Sequence, residues 1–182
     1  MPDYVFKICL LGDAGVGKTS LVYRFIENRF SRDFKSTLGV NLLKKRVKVK
    51  GFDTKDYDVT AQIWDLGGQA AYKKLRKLYL EGSQGALLVF DITARESFDK
   101  LDEWVNALLE GRPNVPIILI GNKMDLDQNR QVALEEAQAY AKKMKMPMDV
   151  LFTSAATGEG VETAFHKLIQ HILQNPKAVN PD

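Results

Sequence analysis

Residues 12–19, GDAGVGKT, constrain the fold of this chain more than any other segment. They follow the apolar run VFKICLL at residues 5–11 and precede a stretch whose apolar residues recur at helical spacing. A glycine, four further residues and then Gly-Lys-Ser/Thr make the pattern of a phosphate-binding loop, which stands between a strand and a helix. The segment therefore predicts a strand–loop–helix unit that binds phosphate groups, in preference to a plain glycine turn.

The rest of the sequence fits one α/β domain. Apolar runs alternate with longer stretches of helical periodicity, which is typical of a parallel sheet covered by helices. Hydrophobic residues make up 45% and charged residues 27% of the 182 residues, which excludes a disordered chain. We expect a three-layer phosphate-loop domain at residues 1–175, with a mostly parallel six-stranded sheet and five main helices, and a flexible tail at 176–182.

The predicted elements follow this alternation. Two consecutive extended segments are joined by GFDTKD, which has the turn chemistry of a hairpin and so predicts one antiparallel edge strand. The predicted strands are VFKICLL, LLKKRVKVK, YDVTAQIW, GALLVFDI, PIILIGN and DVLFTS. The predicted helices lie near residues 18–28, 70–80, 94–109, 134–144 and 161–173.

Charge and cysteine content exclude several classes of protein. The formal net charge is only +3, and the basic residues cluster only at residues 44–50 and 73–77, so we expect no binding to nucleic acid. These two runs are either solvated faces or a docking surface for an acidic partner. Cys9 is the single cysteine and lies in an apolar run, so a disulfide framework is excluded and a reducing, cytoplasmic location is expected.

Membrane attachment is not expected from this sequence. The N-terminus lacks the features of a signal peptide, and the longest apolar runs are too short to cross a bilayer. The second residue is not glycine and HILQNPKAVNPD holds no cysteine, so we expect no lipid anchor in this chain. A truncated chain and a protein that works in solution remain equal alternatives. Peripheral membrane association would need a lipidated tail outside this sequence or a recruiting partner.

Backbone N–H groups of the phosphate loop are the expected phosphate ligands. Gly12, Gly15 and Gly17 tolerate the conformations that turn these groups inward, and the following helix adds its positive end. The Lys18 ammonium can bridge the terminal phosphates, and the Thr19 hydroxyl is placed to bind Mg²⁺. The predicted contacts run through the loop into the helix: Asp13, Ala14, Gly15, Val16, Gly17, Lys18, Thr19 and Ser20.

A second motif predicts the base. The apolar run PIILIG ends in NKMD, which places Asp125 at the carboxyl end of a central strand, where such sheets bind ligands. A carboxylate accepts two hydrogen bonds from the N1–H and amino group of guanine, and adenine offers no such pair of donors. Asp125 therefore predicts guanine. The backbone N–H of Ala155 in TSAA can meet the guanine carbonyl. The predicted base site comprises Asn122, Lys123, Asp125, Ser154, Ala155 and Ala156.

The segments GDAGVGKT, STLGV, WDLGGQ, NKMD and TSAATG, in this order, resemble the Ras superfamily of small GTPases, closest to the Rab and Ras branches. The resemblance covers nearly the whole chain. It implies a molecular switch that binds GTP or GDP with Mg²⁺ and hydrolyses GTP to GDP and phosphate. Phe30 matches an aromatic residue that flanks the guanine, although a core position is the alternative for it.

The resemblance also implies roles at the γ-phosphate. Thr37 would complete the magnesium shell in the first switch loop, and Asp65 would hold magnesium through a water molecule. Gly68 would meet the γ-phosphate in the second switch loop, and Gln69 would orient the attacking water. Catalysis is thus assigned to Gln69, Lys18 and Thr37. No arginine is obviously aimed at the phosphates, so we expect slow intrinsic hydrolysis and an arginine supplied by a partner for a fast rate.

Five positions depart from the usual pattern of the resemblance. Leu66 and Gly67 replace the usual threonine and alanine. Gly67 and Gly68 then form a double glycine as in the Arf branch, which is expected to loosen the second switch. Ala70 replaces a glutamate, which puts a conventional exchange factor in doubt. Ala14 is placed to crowd an incoming arginine, and Ala156 replaces a lysine near the base.

The resemblance implies a monomer that meets effectors, exchange factors and GTPase-activating proteins through its two switch loops. One alternative is a scaffold module that holds its nucleotide permanently, against which the intact Gln69 argues. Another is a phosphoryl transferase that uses ATP, against which Asp125 argues.

Overall fold

A single mixed sheet forms the centre of the computed structural model, which describes residues 1–33, 35–111, 114–144, 148–175 and 179. Its strands are Tyr4–Leu11 (β1), Val40–Lys50 (β2), Asp56–Leu66 (β3), Gly85–Asp91 (β4), Ile117–Asn122 (β5) and Met148–Phe152 (β6). The six strands lie in the order β2-β3-β1-β4-β5-β6. The β2–β3 pair at one edge is antiparallel and the other four pairs are parallel. The predicted sheet and its antiparallel edge strand are confirmed.

Helices cover both faces of the sheet. Within the described ranges the α-helices are Lys18–Glu27 (α1), Lys73–Leu80 (α2), Arg95–Asp99 (α3), Leu101–Gly111 (α4), Leu134–Lys143 (α5) and Val161–Gln174 (α6). Short 3₁₀ segments, Ala70–Tyr72 and Met124–Asn129, lie next to the second switch and the base motif.

The described residues form six α-helices, one more than the five predicted from the sequence. The helix predicted for residues 94–109 is broken at Lys100, whose φ of −90° and ψ of 2° leave the helical region. The break lets Phe98 on α3 and Leu101 on α4 both reach the same core. Apolar spacing alone does not reveal such a break, because both halves keep their helical periodicity.

Two hydrophobic cores hold β1 between them. Phe6, Ile8 and Leu10 pack on one side of the sheet against α1 and α6, where the rings of Phe25 and Phe165 stack with centroids 4.0 Å apart. Cys9 and Leu11 pack on the other side, in a core shared with α2 and α4. Each fully buried side chain of this size contributes roughly 1.5–3 kcal/mol. The loop after β1 therefore starts from a firmly held strand.

The ends of the parallel strands create the candidate site. Because β1, β4, β5 and β6 run in one direction, the loops that follow them meet at the same edge of the sheet. The phosphate loop, the NKMD motif and the TSAA segment all lie in these loops. The topology thus brings together motifs that are more than a hundred residues apart in the chain.

The end of the chain is only partly described. Apart from Val179, which packs against the core on the α6 side, the flexible tail predicted at residues 176–182 lies outside the described residues. In the described part of the chain, none of the helices combines the length and the apolar character needed to cross a membrane.

Candidate functional site

A cavity of about 480 Å³ opens at this edge of the sheet, a volume that suits a ligand of nucleotide size. Most of the residues selected from the sequence line it. They are Ala14, Gly15, Gly17, Lys18, Thr19, Ser20, Phe30, Thr37, Gly68, Gln69, Asn122, Lys123, Asp125, Ala155 and Ala156. The cavity therefore joins the proposed phosphate, switch and base positions in one space.

Four selected residues, Asp13, Val16, Asp65 and Ser154, are not part of the cavity lining. The carbonyl groups of Asp13 and Val16 accept hydrogen bonds from Lys18 and Asn122. Asp65 and Ser154 are fully buried and hold lining residues in place through their side chains. These four residues hold the lining residues in place without lining the cavity themselves.

The phosphate loop is tied to the base motif by Asn122, which is 1% exposed. Its amide group donates to the Val16 carbonyl over 2.9 Å, and its side-chain oxygen accepts a hydrogen bond from the Thr153 hydroxyl over 3.0 Å. Gly17 has a φ of +97°, and a Cβ atom there would lie 2.4 Å from the Asn122 amide nitrogen. Only glycine allows the loop to lie this close to Asn122.

Lys18 is almost fully buried at the foot of the loop. Its side chain donates to the carbonyl oxygens of Gly12 and Asp13 over 2.6 and 2.8 Å. Burial lowers the pKa of Lys18 to about 8, and the nearby carboxylates of Asp65 and Asp13 oppose this shift. A buried ammonium group that contacts mainly neutral carbonyls gains strongly from an anion, so the position favours phosphate.

Three side-chain oxygens meet beside Lys18. The Thr19 hydroxyl donates to Asp65 Oδ2 over 2.5 Å and lies 2.6 Å from the Thr37 hydroxyl, which is itself 3.5 Å from Asp65 Oδ2. Burial raises the pKa of the Asp65 carboxyl. Its second oxygen is buried without a hydrogen bond in the described part of the chain. A carboxylate and two hydroxyls suit a hard divalent cation, which would relieve this buried charge, so the donor set fits Mg²⁺.

The base motif is anchored from two sides. Asp125 accepts a hydrogen bond from the buried Ser154 hydroxyl over 2.7 Å, which fixes its carboxylate at the cavity wall. The ammonium group of Lys123 pairs with Asp91 over 2.8 Å. Asp91 is held in turn by the backbone N–H and hydroxyl of Thr93. The Lys123 side chain is thus stretched along the wall where its stem can cover a base.

The two switch loops contact each other and the phosphate loop. The Gly67 N–H donates to the Gly39 carbonyl over 2.8 Å, and a Cβ atom at Gly67 would lie 2.6 Å from the Thr37 carbonyl oxygen. At Gly68 a Cβ atom would lie 2.1 Å from the Ala14 nitrogen. Both glycines are therefore required by close approach of other backbone segments.

Gln69 carries an unused hydrogen-bond acceptor at the cavity. Its side-chain oxygen is buried and has no partner among the described residues. Buried polar atoms normally find a partner, so this oxygen is suited to a water molecule or ligand in the cavity.

The sequence analysis missed five lining residues: Ser31, Arg32, Lys35, Ser36 and Leu126. Four of them flank Phe30 and Thr37, and that adjacency was the available signal. The cationic Arg32 and Lys35 add positive charge to the lining beyond Lys18 and Lys123. Asp91 was also missed, because it reaches the site only through Lys123.

Comparison with known proteins agrees with this geometry. Residues 7–174 match the family described as the Ras family. The chain is 42% identical to the Ras-related protein Rab-4B of Homo sapiens over 172 residues, which cover 94% of this chain and 78% of that protein. It is 39% identical over 183 residues to the Ras-related protein RABA2a of Arabidopsis thaliana, covering 99% and 81% of the two chains. It is 38% identical over 178 residues to Rab-11A of Dictyostelium discoideum, covering 96% and 80%.

Proposed function

Since this chain belongs to the Ras family of small GTPases and is a GTP hydrolase, we propose that it switches between a GTP-bound and a GDP-bound shape. The observation that carries the proposal is that Lys18 and Asp125 line one cavity. The Lys18 ammonium suits the phosphates and the Asp125 carboxylate suits the guanine, so a single guanine nucleotide can satisfy both.

Binding is assigned to groups that the fold already holds in place. Backbone N–H groups of residues 13–18 and the Lys18 ammonium would bind the phosphates, because the loop surrounds this end of the cavity. Asp125 would accept the two donors of the guanine edge, and the Lys123 stem would cover one face of the ring. Phe30 lines the same cavity while its ring also packs against the core, so it fits both of its expected roles.

Thr19, Thr37 and Asp65 would hold Mg²⁺, Asp65 through a water molecule. When bound, the ion neutralises phosphate charge and thereby favours transfer of the γ-phosphoryl group to water. The oxygens come from α1, the first switch and β3, so occupancy of the site links the first switch to the phosphate loop.

Hydrolysis would proceed by direct attack of water. Gln69 would orient that water through its free side-chain oxygen, and Lys18 would stabilise the charge that develops on the phosphate. Arg32 and Lys35 add cationic groups at the cavity lining, but they lie in an exposed loop. We therefore expect slow intrinsic turnover and acceleration by a partner that supplies a fixed arginine.

Switching would rest on the contacts between the two loops. Thr37 and Gly68 would meet the γ-phosphate, so its loss would release both loops from the phosphate loop. Effectors, exchange factors and GTPase-activating proteins would read this change, in signalling or membrane trafficking. The proposal includes action in the cytoplasm, supported by a single cysteine that is buried and free, with membrane contact made through a lipidated segment or a partner.

The proposal is tested by base preference and phosphate release together. Calorimetry with Mg²⁺ should show much tighter binding of GDP than of ADP. Single-turnover assays should show slow release of phosphate from GTP, and Gln69→Ala should slow it by about 10²-fold or more while GDP affinity stays close to that of the wild type. Gln138→Ala, on the exposed face of α5, is the matched control and should hydrolyse GTP at the wild-type rate.

Other outcomes assign the protein to a different class. Equal binding of ADP and GDP would exclude a guanine site. Phosphate release that is absent in the wild type, together with identical hydrogen exchange of residues 35–40 and 67–72 in the two nucleotide forms, would favour the constitutive scaffold.

A further inference from the structure

Arg24 lies on α1, outside the cavity lining, yet it is bonded to the loop that would meet the guanine. Its Nε donates to the Ala155 carbonyl over 2.8 Å, and one terminal nitrogen donates to the Ala156 carbonyl over 2.6 Å. The other terminal nitrogen donates to the backbone and side-chain oxygens of Asn28 over 3.3 and 3.1 Å. The guanidinium group is thus fixed on one side by Asn28, which follows α1, and on the other side holds two consecutive peptide groups.

The peptide groups of the two alanines in this loop cannot be fixed by the alanine side chains. Ala155 and Ala156 have no polar side-chain atoms, and Ala155 is 3% exposed. Gly158 has a φ of +90°, which favours glycine, and a Cβ atom there would be in ordinary contact with the Arg24 Cδ at 3.5 Å. Arginine suits this position because its planar fork presents several donors in fixed directions.

The bonds of Arg24 determine where a neighbouring N–H group points. In a trans peptide unit the C=O and the N–H point in opposite directions. The Ala155 carbonyl is turned toward Arg24, so the N–H of Ala156 in the same unit is turned away from it. Likewise the Ser154 carbonyl accepts from the Gly158 N–H over 2.8 Å, so the Ala155 N–H is turned away from Gly158.

These two N–H groups are left without an acceptor in the part of the chain that the structure describes. Both alanines line the cavity on the side of Asp125. Two adjacent, unpaired donors at the base end of the cavity suit a carbonyl oxygen on the ligand, and the 6-carbonyl of guanine provides one.

We propose that Arg24 is a positioning residue for guanine recognition: it orients the 155–156 peptide so that its N–H meets the 6-carbonyl of the base. The inference rests on the proposed binding of guanine nucleotides. Contact between the TSAA backbone and the guanine carbonyl is already expected from the sequence, and the new element is that Arg24 orients this backbone. Asp125 reads the N1–H and amino group, whereas the segment held by Arg24 reads the carbonyl.

The test uses three nucleotides that differ at one atom or group of the base. GDP carries the 6-carbonyl, 6-thio-GDP replaces its oxygen by sulfur, which is a weak acceptor, and IDP lacks the 2-amino group that faces Asp125. Dissociation constants are measured by calorimetry with Mg²⁺ for the wild type, Arg24→Gln and Arg24→Lys. Arg46→Gln, an exposed arginine of β2 paired with Asp58, is the matched control.

In Arg24→Gln we expect GDP to bind about three- to tenfold more weakly, the effect of one neutral hydrogen bond, and 6-thio-GDP to be affected less. The preference for GDP over 6-thio-GDP therefore narrows, while the preference for GDP over IDP stays at its wild-type value. Arg24→Lys, which keeps the stem and charge but not the fork, should give an intermediate preference and serves if the glutamine variant does not fold. Arg46→Gln should leave all ratios unchanged.

A loss shared equally by all three nucleotides would overturn the inference, because it would mean that Arg24 only supports the fold. An unchanged ratio of GDP to 6-thio-GDP binding in both Arg24 variants would overturn it as well. Failure of the proposed function would look different, since the wild type itself would then bind ADP as tightly as GDP.

Discussion

At the scale of single residues, base selectivity depends most on the charge of Asp125. Asp125→Asn replaces an acceptor by a donor at the guanine edge, and the Ser154 hydroxyl still holds the side chain in place. We expect GDP affinity to fall about 10- to 100-fold, the effect of a lost charged hydrogen bond, as measured by calorimetry. XDP, which carries a carbonyl in place of the 2-amino group, should lose less affinity or gain some.

Asp127→Asn is the control for this change. Asp127 lies on the same 3₁₀ segment, pairs with Arg130, is exposed and does not line the cavity. The Asp127→Asn substitution therefore removes the same charge without changing the cavity. A loss of GDP affinity that is equal in both variants would show that general electrostatics, and not recognition of the base, explains the effect.

Burial of the Cys9 thiol makes the free energy of unfolding depend on pH. Burial raises the pKa of the Cys9 thiol to about 11, while a hydrogen bond to Ser83 and the charge of Lys7 oppose this. The unfolded chain releases this proton at lower pH than the folded protein, so stability should fall as pH rises from about 9 to 11. The slope is at most about 1.4 kcal/mol per pH unit.

Urea unfolding at several pH values, under reducing conditions, measures this slope. Cys9→Ala removes the thiol and keeps Lys7, so the stability difference between wild type and variant should shrink as pH rises. Ser83 retains its hydrogen bond to the Leu80 carbonyl in the variant. Parallel pH curves for the two proteins would contradict the assignment of the slope to Cys9.

Contiguous motifs made much of the site predictable, whereas residues that act through the fold were missed. The phosphate loop and NKMD each carry their chemistry within a few residues, so spacing alone selects Lys18 and Asp125. Arg24 donates a hydrogen bond to Ala155, 131 positions away in the chain, and no local sequence pattern predicts that contact. The same holds for Asp91, which pairs with Lys123 from the end of a different strand.

At the scale of elements, the contact between the two switch loops makes Gly67 the critical position. In Gly67→Ala the added methyl group would overlap the Thr37 carbonyl oxygen and press on Gly39. Thr37 should then be displaced from Thr19 and Asp65. Overpacking typically costs about 1–3 kcal/mol, so we expect Mg²⁺ affinity in the nucleotide complex to fall about tenfold.

Titration of nucleotide release against Mg²⁺ concentration measures this effect. Release in the presence of a chelator should be unchanged, because the phosphate loop and base motif are intact. Gly82→Ala strains the backbone, because Gly82 has a φ of +74°, but its methyl group would meet no atom beyond the neighbouring residues within 4 Å. It therefore controls for general loss of stability. If Gly67→Ala keeps the wild-type Mg²⁺ dependence, the two switches are not coupled through this contact.

Strands were easier to predict from the sequence than the limits of helices. The antiparallel edge strand followed from a hairpin signal, and each apolar run became a strand. The break at Lys100 depends on how α3 and α4 pack on the core, which periodicity does not encode. Gly67 was expected to loosen the second switch, and that remains a prediction, but the structure adds a steric reason for a glycine there.

At the scale of the whole molecule, the sheet has a ligand-binding edge at the carboxyl ends of its parallel strands and an opposite edge at their amino ends. Loops at the two edges open independently unless a ligand or the whole fold links them, because they share few contacts. A guanine nucleotide would link the loops of one edge only. GDP with Mg²⁺ should therefore slow hydrogen exchange at residues 12–19, 122–126 and 154–157, which form the phosphate loop and the base site.

The loops of the opposite edge, at residues 51–55 and 81–84, provide the internal control. They are close to β1, β2 and α2 but far along the strands from the cavity lining, so local opening there should keep its rate when GDP binds. Exchange measured by mass spectrometry, with ADP as the matched ligand, resolves the two edges. Equal slowing at both edges would mean that these loops exchange only through global unfolding, and the two-edge description of the dynamics would be wrong. Slowing by ADP to the same extent would instead remove the role of the base motif in closing the site.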